Sequence, residues 1–340
     1  MRNLSGYLIR SFSGLFFSIF LPIIAIGSLI LFVRIAKLTE VTQMSFSEML
    51  MMYSYFVPTI LFYTLPITFF AALTLTMVKL SNDFESIVLF SFGISPARIV
   101  RFFTPVTFAT VGLLLLLSLA LIPITKQLVK SFISYKSVHA VLNIQASEFG
   151  QKFGSWLVFL ESKDEETGRL HNIVLYNAAD PKEEQILIAR EGAFFNEGGV
   201  LGLKLINGEA YRITPGQIDQ IDFKTMKIYD TSTHRPFTYR NLAEYWLMAF
   251  SDAKRLKDLI IFLAVSFFPL VTLAFAFSYG ILHPRYDKNF SYVAILGVTT
   301  LYYGIISAIA KNSPLGSILF LAAFLITGVT LFYLKVQKRF

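Results

Sequence analysis

The chain has 340 residues, 55% of them hydrophobic and 16% aromatic, with a mean hydropathy of +0.60 and a formal charge of +8. It is too apolar for one soluble core, and its apolar residues fall in long runs, so composition makes it a polytopic membrane protein. Cysteine is absent, which excludes disulfides, thiolate metal sites and cysteine nucleophiles.

The charge is unevenly spread. Residues 136 to 258 hold 15 Lys/Arg and 17 Asp/Glu, a net of −2, so the 15 basic and 5 acidic residues elsewhere carry +10. Basic residues in short loops beside apolar runs mark the cytoplasmic ends of membrane spans, and this explains the charge better than nucleic-acid binding.

After MRNLSGYLIR, residues 12 to 33 form the first apolar run. At ~1.5 Å per residue it can cross a hydrocarbon core of ~30 Å. It exceeds a signal-peptide core and no small-x-small cleavage site follows, so it reads as a retained span, with Pro22 as a tolerated kink. Arg34 and Lys37 follow, three residues apart on one helical face, and as plain interface anchors they would snorkel. Further runs cover residues 55–78, 102–124, 259–281, 292–310 and 315–334, and none of the six contains Asp, Glu, Lys, Arg or His. Carriers driven by protons or sodium need ionisable groups at membrane depth, so an autonomous pump is disfavoured.

Placing the N-terminus inside puts Arg2, Arg10, Lys79, Arg98, Arg101, Arg285, Lys288, Lys335, Lys338 and Arg339 in the cytoplasm, against Arg34, Lys37 and Lys311 in short outer loops. The polar block then faces away from the cytoplasm.

The inner loop between spans two and three reads KLSNDFESIVLFSFGISPARIVR. Asn82 followed by Glu85 has the form of a capping box, with Asp83 and Glu85 in the first turn where they suit the helix dipole. Phe84, Ile87, Val88 and Ser91 form a stripe, Gly93 supplies a C-terminal stop, and Ser95-Pro96 starts the next helix. The segment predicts a short amphipathic helix near 82–93 on the cytoplasmic face. One reading leaves it on the lipid surface with Phe84 and Ile87 among the headgroups.

Within the polar block the apolar period changes to two. SWLVFLES, RLHNIVLYN, EQILIARE, VLGLKLINGEAYRIT and IDQIDFKTMKIYD read as strands, separated by turn formers at 164–168, Asp180-Pro181, 196–199, Asn207-Gly208 and Pro215-Gly216. Asn207-Gly208 is a hairpin signal. The spacing predicts an antiparallel sandwich or roll of about eight strands, with Trp156, Val158, Leu160, Ile186, Ile188, Leu203 and Leu205 among its interior positions. It is either a folded spacer or a domain that handles a substrate or partner at the membrane surface.

Catalytic patterns are missing. His139, His171, His234 and His283 have no ligand spacing, and there is no GxxxxGK[ST] or GxSxG segment. Glu165-Glu166 and Glu183-Glu184 lie in turn regions and read as solvated surface. Nothing predicts a bound metal or cofactor.

The basic N-terminus, LPITFFAALTLTMVKLSNDFESIVLFSFGISPARIVR, a β domain with SWLVFLES and INGEAYR, and three closing spans with HPRYDKN between the first two resemble the lipopolysaccharide export permease family of the LptF/LptG (YjgP/YjgQ) type. VFLES with LINGEAYR is more similar to the LptF side. A departure lies after the fourth span, where Pro284-Arg285 continues as Tyr286-Asp287-Lys288-Asn289 in place of the Gly-Arg often found there.

The resemblance implies an α-helical membrane protein with six transmembrane helices and an inserted, all-β, β-jellyroll-like periplasmic domain. Spans one to three would occupy 1–135, the β domain 136–250 and spans four to six 251–340. The implied protein is a permease subunit of an ABC transporter in the inner membrane of a Gram-negative bacterium. It would pair with a second permease of the family and a cytoplasmic ATPase dimer that consumes the ATP, and would pass lipopolysaccharide to a periplasmic β-jellyroll bridge. Glu85, with Asp83, Phe84 and Ile87, would engage a groove of the ATPase, while Arg34 and Lys37 would face the phosphates of lipid A. Without that resemblance Glu85 is equally well a helix cap, and the chain could be a membrane-anchored sensor or assembly factor whose β domain binds a ligand without transport.

Overall fold

The structure, a computed structural model, describes residues 2–39, 44–139, 151–153, 155–164, 167–180, 183–197, 200–229, 240–282, 289–310 and 314–339. Six of its helices are long and apolar enough to cross a membrane. In chain order the helical elements are α1 (Arg2–Thr39), α2 (Phe46–Asn82), α3 (Glu85–Ser91), α4 (Pro96–Leu116) continued through a π-helical turn (Leu117–Leu121) into α5 (Ile122–His139), then α6 (Leu242–Leu247), α7 (Ala253–Gly280), α8 (Ser291–Ile309) and α9 (Pro314–Phe332). Between α5 and α6 lie β1 (Gln151–Phe153), β2 (Trp156–Lys163), β3 (Arg169–Asp180), β4 (Glu183–Glu197), β5 (Val200–Thr214) and β6 (Gln217–Tyr229). The chain is therefore an α-helical membrane protein with six spans and an inserted β domain. It divides into two compact units: Met1–Phe32, Tyr53–Lys126 and Arg240–Phe340 in one, Val33–Met52 and Gln127–Tyr239 in the other.

The helical unit is built on α7. Lipid tails are as apolar as leucine, so helices in a membrane associate by close packing and hydrogen bonds. Gly280 shows the first device: a Cβ there would stand 2.4 Å from Met77 Cβ and 2.8 Å from the Thr74 carbonyl, so α2 and α7 cross in direct contact. Ala264, Phe268, Ala276 and Phe277 are fully buried, and the Phe268 ring meets Phe70 at 5.8 Å and Tyr302 at 4.9 Å. The second device is local. The buried hydroxyls of Thr74, Thr76, Thr107, Ser266 and Thr272 each donate to the carbonyl four residues earlier.

The π-helical turn has a tertiary cause. A wider turn shifts the helical hydrogen-bond ladder, and here the Trp246 indole donates to the Leu119 carbonyl at 2.8 Å while Ser118 and Ser266 share a hydrogen bond at 3.1 Å.

The β unit is one six-stranded antiparallel sheet in sequential order β1 to β6. Six strands are described where the spacing predicts about eight, and β5 runs unbroken over Asn207-Gly208, so the turn expected there does not divide it. No hairpin forms there. Asn207 does take the left-handed conformation, φ 54°, but as one member of a row that crosses the sheet: Glu161, Asn172, Arg190, Asn207 and Lys224. Pairing continues in unchanged register on both sides of this row, while its own members are left out of the ladder. Inward-facing positions shift parity across it, from Leu170 to Ile173, Ala189 to Phe194, Leu205 to Ala210 and Phe223 to Met226. The parity shift keeps the same apolar face inward on both sides. Of the predicted interior residues, Val158, Leu160, Leu203 and Leu205 are buried and Trp156 packs against them. Ile186 and Ile188 are corrected: Leu187 and Ala189 face in, and Ile188 is 44% exposed, because the parity of β4 is set by pairing with Leu175 and Ile173.

Candidate functional site

The junction between α2 and α3 is fixed by one small hydroxyl. Ser81, fully buried, donates to the Gly280 carbonyl at 3.2 Å and accepts from the Leu282 amide at 3.1 Å and from Ser86 at 3.4 Å. It ties the end of α2 to the end of α7 and to the first turn of α3. The close crossing at Gly280 makes this reach possible.

The predicted capping box does not form. The Asp83 amide still bonds the Lys79 carbonyl, so Asn82 remains the last helical residue of α2 and cannot take the extended backbone that an N-cap requires. The chain turns instead at Phe84, φ 61° and ψ 5°, which makes no side-chain cap. Glu85 opens α3, and its carboxylate turns to α1: the Tyr7 hydroxyl lies 2.8 Å from each of its two oxygens. The C-terminal signal holds. Gly93, φ 76°, donates to the Phe90 carbonyl and Ile94 to the Leu89 carbonyl, the Schellman arrangement. Ser95 precedes Pro96 at the start of α4 with ψ 148°.

α3 has two faces. Ser86 is buried, and Leu89, Phe90 and Ile94 pack against the helical core. Phe84, Val88 and Phe92, four residues apart, are 54%, 50% and 79% exposed. Asp83 is exposed, while Glu85 and Ile87 are half-buried. Phe92 therefore joins the outward stripe, in which the sequence pattern placed Ile87, half-buried, and Ser91, exposed. Its spacing of eight from Phe84 is the signal that could have found it. Arg10, Lys79, Arg98 and Arg101, at the neighbouring ends of α1, α2 and α4, are exposed.

Arg34 and Lys37 lie at the other end of α1, both exposed, beside the buried Leu31 and Ile35. Cavities open in both units among the described residues. In the helical unit, one of about 460 Å³ is lined by Tyr63 of α2, Ile261 and Val265 of α7, and Thr300, Tyr303 and Ser307 of α8. The Tyr303 hydroxyl is buried without a hydrogen-bond partner among the described residues. In the β unit, one of about 510 Å³ is lined by Trp156, Leu187, Ala210, Met226 and Ile228 of the inward face, with polar residues at its mouth. Among the described residues no three His, Asp or Glu side chains converge on a metal-sized site. The loop after α7, with Pro284-Arg285, and Glu165-Glu166 lie outside the described residues.

Six spans, an antiparallel sheet inserted at mid-chain and a pinned helix between spans two and three define a multi-pass membrane protein. The family model described as lipopolysaccharide export system permease LptF/LptG matches residues 6–334, and the chain belongs to that family. No curated protein matches the chain.

Proposed function

We propose that this chain is the permease subunit, of LptF type, in an ABC transporter that lifts lipopolysaccharide from the inner membrane of a Gram-negative bacterium and hands it to a periplasmic β-jellyroll bridge. Family membership gives the class, and Glu85 carries the finer reading. A carboxylate on a short helix pinned between two spans is where force from outside the chain would enter, and the sequence holds no phosphate loop of its own to generate that force. The excess of Lys and Arg at this end of the spans supports a cytoplasmic placement. A cytoplasmic ATPase dimer would seat α3 in a groove, with Glu85 and Asp83 against its basic residues and Phe84 and Ile87 against its apolar ones. A second permease of the family would pair with it in the membrane. Arg34 and Lys37, on the outer side, would meet lipid A phosphates, for which charge-assisted hydrogen bonds are the matching chemistry. The β domain would receive acyl chains on its inward face, and β6, the last of the described strands in the sheet order, would offer an edge for strand addition by the bridge.

Because the capping role has fallen away, Glu85→Gln is a clean test. It keeps shape and hydrogen-bonding capacity and removes charge. Leaving a partner's charge unpaired in an interface costs about 2–5 kcal/mol, so ATPase association should weaken by about thirtyfold or more. Export should fail while thermal stability is unchanged. Normal export by Glu85→Gln would remove Glu85 from coupling.

A further inference from the structure

Resting on that reading of Glu85, we propose that Tyr7 is a positioning residue that latches the coupling carboxylate, and that docking of the ATPase exchanges the Tyr7 hydroxyl for an arginine fork. The geometry points to competition rather than cooperation. The phenol oxygen is equidistant from both carboxylate oxygens, 2.8 Å from each, so it stands between them. A guanidinium that takes both oxygens as a fork has to occupy that position. The phenol is neutral and offers one proton, whereas the guanidinium offers two N–H groups and a charge, so the exchange favours the motor once it arrives.

The latch also joins two elements that sequence keeps 78 residues apart. Tyr7 sits in the second turn of α1, next to the buried Leu8, which belongs to the same core as Phe103 and Ile99 of α4. Tyr7 itself is 44% exposed and contributes little to that core, so removal of its hydroxyl leaves the fold alone. While the hydrogen bond lasts, the inner end of α1 and the first turn of α3 move together. When the fork displaces the hydroxyl, α1 is released from α3 at the moment the motor engages.

The test uses the complete permease pair in lipid nanodiscs, titrated with the purified ATPase, for wild type, Tyr7→Phe, Glu85→Gln and the double variant. Tyr7→Phe removes only the competing hydroxyl. The hydroxyl donates to a charged carboxylate in an exposed setting, and such a bond corresponds to about a tenfold change in an equilibrium constant, so Tyr7→Phe should tighten ATPase association by about that factor. Against Glu85→Gln the Tyr7→Phe change should have no effect on association. Thermal unfolding of each variant provides the structural control, with all four midpoints expected to agree. If Glu85→Gln weakens association but Tyr7→Phe leaves it unchanged or weakens it, the latch is wrong and the coupling role of Glu85 stands. If Tyr7→Phe tightens association equally with and without Glu85, the effect does not pass through the carboxylate and the latch is also wrong. If Glu85→Gln binds the ATPase normally, the coupling role and the latch fall together.

Discussion

Ser81 and Glu85, four residues apart, divide the work at the α2–α3 junction. Ser81 is buried and fixes where α3 begins, while Glu85 is half-buried and partnered across the chain by Tyr7. Glu85 was singled out by the family resemblance and by a capping pattern; the cap does not form, and the reason is local: the span keeps its helical hydrogen bonds through Asp83, so Asn82 never leaves the helix. Tyr7 was beyond reach, since no spacing relates residues 78 apart. Arg34 and Lys37 were legible as a pair by their interval of three, and both are exposed. Two charge-assisted contacts to phosphate correspond to about a tenfold change in rate or affinity at least. Reversing both to Glu should therefore lower lipopolysaccharide-stimulated ATP hydrolysis in the reconstituted complex by about tenfold while unstimulated hydrolysis stays the same. Equal loss of both activities would show that the pair merely anchors the helix.

At the scale of elements, chain punctuation was read well where it is local and poorly where a neighbour decides. Gly93 ends α3 and Pro96 opens α4 as their residue types require. The π-helical turn at Leu117–Leu121 has no such sign in LSLAL, because Trp246 and Ser266 on distant segments hold it. Asn207-Gly208 is the instructive failure. Asn207 has the left-handed conformation that the dipeptide advertises, yet the next residue stays in the strand, since a Cβ on Gly208 would lie 2.2 Å from the Ile188 carbonyl of β4. Glycine here permits close approach of two backbones. An insertion distinguishes the two roles, because hairpin tips tolerate added residues and paired strands do not. Two glycines inserted between Asn207 and Gly208 should collapse the sheet and expose the domain to protease, while the same insertion at the Pro215-Gly216 turn, where Gly216 has φ 95°, should leave it folded. Equal tolerance at both sites would restore the hairpin.

For the whole molecule, six spans were legible because each apolar run is about as long as the hydrocarbon core is thick, but the first three spans outrun their apolar runs as helices. α2 begins at Phe46 and has 37 residues, about 55 Å of helix, so its ends project past a ~30 Å core and lose the apolar signal while remaining helical. The chain's membership in the lipopolysaccharide export permeases accounts for the spans, the inserted sheet and the pinned α3 together. A transporter half, unlike a sensor, needs a motor and a second permease. Affinity purification of the tagged full-length chain from gently solubilised membranes, with the co-purifying proteins identified by mass spectrometry, tests this directly. The chain should bring down an ATPase and a second six-span permease of the same family in stable proportion, and Glu85→Gln should lose the ATPase while keeping the permease. Recovery of the intact chain with neither partner would contradict a role in transport.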